Sequence, residues 1–211
     1  MSEKQRISKI IEALKKKYPE AICSLRADTP FELLVSTRLS AQCTDKRVNE
    51  ITPALFNRYR TLEDYASADI VQIEELIRSC GFYHTKAKDI VNMAKMLIDE
   101  YGGIIPDSIE ELIKLPGVGR KTANLIVGDL YNKPAVVCDT HVIRITNRLG
   151  LVNTKVPEKV EVQLKKILPA KESNDFCHRI VLHGRETCTA RKARCGECVI
   201  LQYCKYGKTE K

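Results

Sequence analysis

The sequence predicts an all-α protein. Apolar residues recur at helical spacing along most of the chain, and several of these runs begin with Ser, Thr or Asp and carry Glu or Gln three residues later. Only Ala135 to Cys138 resembles a strand, and it has no obvious partner. There is no fixed internal repeat, low-complexity segment or obvious linker.

Taken in order, residues 2 to 18 pair Ser2 with Gln5 as a cap and place Ile7, Ile10, Ile11 and Leu14 on one face, giving an amphipathic helix that ends before Pro19. Thr29-Pro30-Phe31-Glu32 starts another helix, with proline at the first position, where its missing N–H costs nothing. Further helices are expected over 45–59, 68–79 ending at Gly81, 85–101 ending at Gly102-Gly103, 158–168 before Pro169, and 173–183.

Asp107 and Glu110 form a capping pair for a helix reaching about Lys114, which Pro116, Gly117 and Gly119 stop. In LPGVG, residues 115–119, proline removes an N–H while the glycines permit positive φ and close backbone approach. A second helix begins near Arg120 with Ala123, Ile126, Val127 and Leu130 as its core face. At about 100° per residue, Lys121 lies roughly 160° from the middle of that stripe. It therefore points away from the core, in a first turn whose dipole favours a neutral amine and whose N–H groups can bind a phosphate oxygen. Further on, Asp139 precedes Thr140-His141-Val142, and Val142, Ile145 and Leu149 repeat at helical spacing until Gly150. By spacing alone Lys121 is a solvated lysine and Asp139 an N-cap.

At 211 residues with 44% hydrophobic content, the chain can bury one or two cores. Its formal charge of +8 favours a polyanionic partner such as nucleic acid, although charge alone decides little. No apolar run approaches the roughly 18 residues of a membrane span, and the N-terminus lacks the apolar region of a signal peptide. A cytoplasmic location is expected, where the nine cysteines would stay reduced. Cys188, Cys195, Cys198 and Cys204 give C-x6-C-x2-C-x5-C, with chelate loops short enough to cost little closure entropy. Chemistry alone leaves an iron–sulfur cluster, a zinc ion or unligated thiols open for this set. Cys23, Cys43, Cys80, Cys138 and Cys177 are scattered and read as small core or surface residues.

LPGVGRKTAN followed by CDTH resembles the helix-hairpin-helix, Gly-Pro-Asp type of DNA glycosylase, and most of all the endonuclease III family. The resemblance implies that Lys121 and Asp139 are the catalytic pair and that Gly117, Gly119 and Arg120 bind DNA. LSAQCTD, residues 39–45, reads by itself as capping and turn chemistry at a helix junction. The resemblance implies that Gln42 fills the gap left by an everted nucleotide, and that Asp45 and His141 belong to the base pocket. In CGFYHTKAK, residues 80–88, Phe82 alone would be a core staple, and the resemblance makes it a wedge on DNA. Here the chain departs from the commoner family pattern, with Phe82 where leucine is more usual and Cys80 where isoleucine is.

The cysteine spacing matches the family's cluster, which implies a [4Fe-4S] group on Cys188, Cys195, Cys198 and Cys204. The intervening TARKAR loop would then set Arg191, Lys192 and Arg194 on DNA phosphates. The resemblance further implies two helical lobes: residues 22–132 as a six-helix domain containing the hairpin, and residues 1–21 plus 133–211 as the cluster domain. Double-stranded DNA would lie between them, with Lys121 facing Asp139, and the protein would act as a monomer. The implied activity is a bifunctional glycosylase and lyase that removes oxidised pyrimidines of the thymine glycol type. It would cut the strand 3′ to the abasic site by β-elimination through a lysine Schiff base. The alternative is a monofunctional mismatch glycosylase, a relative that carries a different residue where Lys121 stands. A module that only binds DNA would leave Lys121 and Asp139 unexplained together.

Overall fold

The computed structural model describes residues 1–20 and 22–209. Among them helices form the fold and no strand is present; residues 135–137 are buried in extended coil, and an isolated antiparallel bridge joins Cys188 to Ala193. No described helix is long and apolar enough to cross a membrane. The chain divides into two compact units, Cys23–Tyr131 and Met1–Ile22 with Asn132–Lys211.

The Cys23–Tyr131 unit holds α2 (Pro30–Leu39), α3 (Asp45–Arg58), α4 (Leu62–Ala66), α5 (Ile70–Ile77), α6 (Tyr83–Tyr101), α7 (Ile109–Leu112) and α8 (Arg120–Asp129). Helix α6 is its central rod: α2, α4 and α5 pack on it around Ile90, Met93, Ala94 and Leu97, all fully buried. Burial of each such leucine or isoleucine contributes about 1.5–3 kcal/mol. Thr29 caps α2 in a reciprocal box with Glu32, as expected. Two expectations shift, and one helix is new. Ser108, not Asp107, caps α7 by accepting from the Glu111 N–H, and that helix is one turn long. Helix α5 begins at Ile70 with Asp69 as its cap. Helix α4, capped by Thr61 and Asp64, escaped the periodicity argument because five residues are too few to show a period.

The second unit holds α1 (Glu3–Lys17), α9 (Thr140–Leu149), α10 (Pro157–Ile167), α11 (Ser173–Glu186) and α12 (Tyr206–Thr209). Ser2 and Gln5 cap α1 reciprocally, and Ile7, Ile10, Ile11 and Leu14 are buried. Helix α11 packs on α1 and α9. Gly184 permits the α9 approach, because a Cβ there would lie 2.5 Å from His141 Nδ1 and 2.8 Å from Ile145 Cδ1. Arg6 donates to the Leu149 and Tyr203 carbonyls at 3.0 and 2.7 Å, tying the C-terminal end of α9 and the chain near Tyr203 to α1.

Candidate active site

The hairpin between α7 and α8 sets Lys121. Gly117 has φ +74°, which a side chain rarely tolerates, and a Cβ there would meet Arg38 Nε at 2.5 Å and Asp89 Oδ2 at 2.7 Å. Those two side chains form a half-buried ion pair, with Arg38 Nε 2.8 Å and Nη2 2.6 Å from Asp89 Oδ2. The turn thus rests on an ion pair donated by α2 and α6. Gly119 differs from the expectation for both glycines: its φ is −94°, and nothing lies within 4 Å of its Cβ position. As the N-cap of α8 it supplies no side-chain acceptor to the first turn. Ala123, Ile126 and Val127 are buried while Lys121 is exposed, which places its amine outside the core. Gly117→Ala is expected to lower stability by about 2 kcal/mol through αL strain and the clash with the ion pair. Urea unfolding beside wild type measures it, and an unchanged midpoint would remove the steric argument.

Two exposed loops of the same unit carry the other DNA-facing candidates. Gln42 has φ +55° and Phe82 φ +59°, two of only three non-glycine residues in the left-handed region among those described. Such conformations cost on the order of 1–3 kcal/mol and persist where surrounding structure enforces them. Phe82 is 65% exposed, so it is no core staple. Asp45 lies half-buried in the first turn of α3, and its Oδ2 accepts from Ser24 Oγ at 2.5 Å. Lys86, fully buried, fixes the Gln42 loop: its Nζ donates to the carbonyls of Leu39 and Ala41 at 2.8 Å each, where α2 ends. It thereby answers carbonyls that a helix end leaves unpaired and meets the negative end of the dipole.

In the other unit, Asp139 caps α9: Oδ1 accepts from the Val142 N–H at 2.7 Å. His141, the second residue of that helix, packs toward Gly184 with Nδ1 3.2 Å from Arg144 Nη2. The same helix holds the cysteine loop. Arg144 donates to the Cys188 carbonyl at 3.0 Å; Arg148 donates to Cys188 Sγ at 3.2 Å and to the Thr189 carbonyl at 2.8 Å, and lies over the Tyr206 ring. Arg191 and Lys192 are exposed, and Thr189 Oγ1 donates to the Lys192 carbonyl, closing the turn. Arg194 is turned back onto its own loop, donating to the Glu186 carbonyl and pairing with Glu197 at 3.4 Å.

Cys188, Cys195, Cys198 and Cys204 line one small pocket, walled by Ile145, Leu149 and Ile200. Among the described residues, no three His, Cys, Asp or Glu side chains converge so as to hold a single ion. The donor chemistry suits thiolates, because N–H groups point at two sulfurs: Arg148 Nη1 at Cys188, and the Gly207 N–H at Cys204 at 3.5 Å. The remaining cysteines need one correction. Cys43 and Cys80, read from sequence as scattered, have their sulfurs 3.5 Å apart.

Arg38, Asp89 and Lys86 had no sequence signal of their own. Arg144 and Arg148 sit four apart on α9, a spacing that could have marked them as sharing a face.

The sequence profile of the "HhH-GPD superfamily base excision DNA repair protein" matches residues 35–170, which include Lys121 and Asp139. Endonuclease III of Synechocystis is 47% identical over 204 residues, covering 96% of this chain and 93% of that protein. Endonuclease III of Escherichia coli K12 is 37% identical and covers 93% of each. A trapped endonuclease III–DNA covalent intermediate superposes with a TM-score of 0.92 at 43% identity, covering all of this chain and 99% of that one. A thermostable thymine-DNA glycosylase, at 21% identity and a TM-score of 0.86, shares the fold. A matched profile over more than half the chain, together with relatives of this identity along nearly its whole length, means that the chain belongs to the endonuclease III family of HhH-GPD base excision DNA repair proteins.

Proposed function

We propose that the protein is a base excision repair enzyme, a bifunctional DNA glycosylase and AP lyase acting on double-stranded DNA with damaged pyrimidines or abasic sites. The observation that carries this reading is Lys121: an exposed amine at the second residue of α8, whose N-cap, Gly119, brings no side-chain acceptor to a first turn suited to a phosphate. A monofunctional mismatch glycosylase would have no use for an amine at this position. Cytoplasmic location with association to the nucleoid through DNA follows from the same reading.

In the proposed mechanism the hairpin N–H groups of Gly119 and Arg120 hold phosphates beside the lesion while Gln42 and Phe82 occupy the disrupted stack. A damaged pyrimidine pairs and stacks poorly, so its extrusion costs less than that of a normal base. Neutral Lys121 Nζ attacks C1′, the C1′–N bond breaks, and the base leaves with its bonding pair and takes up a proton. The carboxylate of Asp139 stabilises positive charge developing on the sugar and assists proton transfer. The lone pair of the bound nitrogen then expels O4′, which takes up a proton as the sugar ring opens; the resulting imine between Lys121 and C1′ acidifies the C2′ proton, and loss of that proton expels the 3′ phosphate. Asp45 and His141 would line the base pocket. Cys188, Cys195, Cys198 and Cys204 would hold a [4Fe-4S] cluster, which, when bound, would anchor both ends of the 189–194 loop through Cys188 and Cys195.

Borohydride trapping tests the reading, using one duplex with thymine glycol and one with an abasic site. A covalent protein–DNA adduct is expected on both. No adduct on either, with binding intact, would sink the lyase assignment and leave the monofunctional alternative.

The basic loop gives a second expectation. Arg191→Gln and Lys192→Gln should each reduce the slope of log K against log salt by about 0.9, one phosphate apiece. Arg194→Gln should change it less, because its guanidinium is already engaged with Glu186 and Glu197. Equal slopes for wild type and the Arg191/Lys192 double variant would take this loop off the DNA.

A further inference from the structure

We propose that Cys43 and Cys80 form a reversible thiol–disulfide switch that joins the two loops carrying Gln42 and Phe82. The proposal rests on the reading that those loops meet DNA.

The geometry comes first. Cys43 directly follows Gln42, and Cys80 stands two residues before Phe82. Their sulfurs lie 3.5 Å apart, and a disulfide needs about 2.05 Å, a closure that side-chain rotation and a small shift of the Cys43 turn can supply. Both flanking residues are exposed and in the left-handed region, so the loops are held in strained shapes by their surroundings. Lys86 fixes one side of the gap by holding the Ala41 carbonyl, and α6, which bears Lys86, starts directly after Phe82. The pair thus sits where the two loops are already tied together.

Selectivity follows from the surroundings of the other thiols. Neither Cys23 nor Cys138 has a second thiol within hydrogen-bonding distance among the described residues, so neither can close a disulfide as Cys43 and Cys80 can. Cys177 is buried, and the remaining four are the proposed cluster ligands. Of the pair, Cys43 is half-buried on an exposed loop and Cys80 is fully buried, so an incoming reagent reaches Cys43 before Cys80. Burial, then the neighbouring Cys43, pushes Cys80 up to about 12, while the cations of Lys86 and Arg47 act in the opposite sense. Cys43 is therefore the attacking thiol and Cys80 the resolving one.

The chemistry balances with a low-molecular-weight disulfide as oxidant. The Cys43 thiolate attacks one sulfur of that disulfide, breaking its S–S bond and releasing one small thiolate. Cys80, after giving up its proton, attacks the Cys43 sulfur of the mixed disulfide and expels the second small thiolate. Two protein thiols are oxidised to one disulfide, and one small disulfide is reduced to two thiols. Joined in this way, the loops keep the DNA-free arrangement, so binding that requires them to enter the stack weakens, whereas binding through phosphates alone does not.

The test uses the cluster-loaded protein, freed of reductant, incubated with oxidised glutathione, alkylated under denaturing conditions and digested for mass spectrometry. A peptide pair joined through Cys43 and Cys80, lost on adding dithiothreitol and absent from Cys43→Ser, is expected. In parallel, affinity for a duplex with an abasic-site analogue should fall about tenfold on oxidation, a coupling of ordinary size, while affinity for undamaged duplex stays constant. Cys43→Ser should bind both duplexes like reduced wild type and ignore glutathione disulfide; because Cys80 is wholly buried, Cys80→Ser serves only as a second mass control. Oxidation at other thiols without the Cys43–Cys80 peptide overturns the site. The cross-link with unchanged affinity for the damaged duplex overturns the switch. Failure of the glycosylase reading would show separately, as absence of borohydride trapping by the reduced protein.

Discussion

Lys121→Ala is expected to yield no borohydride-trapped adduct on either the thymine glycol or the abasic duplex, and to lower strand cleavage by about 10⁴- to 10⁶-fold, the range seen when a nucleophile is removed. Lys121 is exposed, no hydrogen bond or ion pair engages it among the described residues, and alanine is the best helix former. Folding stability should therefore stay within about 0.5 kcal/mol of wild type. The hairpin N–H groups and the Arg38–Asp89 support under Gly117 also remain, so binding to damaged duplex should persist. Loss of chemistry with binding and folding intact separates a nucleophile from a phosphate contact. Lys121→Arg sharpens the contrast, since arginine keeps the positive charge but offers no neutral amine. It should retain the wild-type salt dependence of binding and still trap nothing. Strand cleavage near the wild-type rate in either variant would move the nucleophile elsewhere.

What could be read in the sequence follows from how local each interaction is. The caps Ser2–Gln5, Thr29–Glu32 and Asp139–Val142 span three residues each, so residue type and spacing were enough to find them. The exposure of Lys121 followed from angular position on a regular helix. The supports of the site were hidden because their partners are far apart in the chain: 51 residues separate Arg38 from Asp89, 47 separate Lys86 from Leu39, and 37 separate Cys43 from Cys80. A buried lysine on α6 reads as one more polar residue until the carbonyls it satisfies are in place. Gly119 illustrates a different limit, since glycine permits positive φ without requiring it, and here the backbone is extended. Phe82 is the reverse case, a bulky residue in the left-handed region that no propensity argument would have placed there.

Asp139→Asn separates the charge of Asp139 from its role as a cap. The carboxylate Oδ1 accepts the Val142 N–H at 2.7 Å, and an asparagine side-chain oxygen can make the same bond; the two residues are about equally good caps. Helix α9 should therefore keep its start, and with it Arg144 and Arg148, which hold the cysteine loop. Asp139→Ala, by contrast, should lose about 1 kcal/mol of stability along with the charge. If Asp139 stabilises positive charge on the sugar as the base departs, both variants should slow excision of thymine glycol by about 10²- to 10³-fold, and only the alanine variant should unfold earlier. On a duplex with a preformed abasic site the base has already gone, so the loss should be smaller for both. Single-turnover rates on the two duplexes, with urea midpoints for each variant, measure the split. If Asp139→Asn excises thymine glycol at the wild-type rate, the carboxylate is a cap and nothing more. Equal losses on both duplexes would instead move its role to a step after base release.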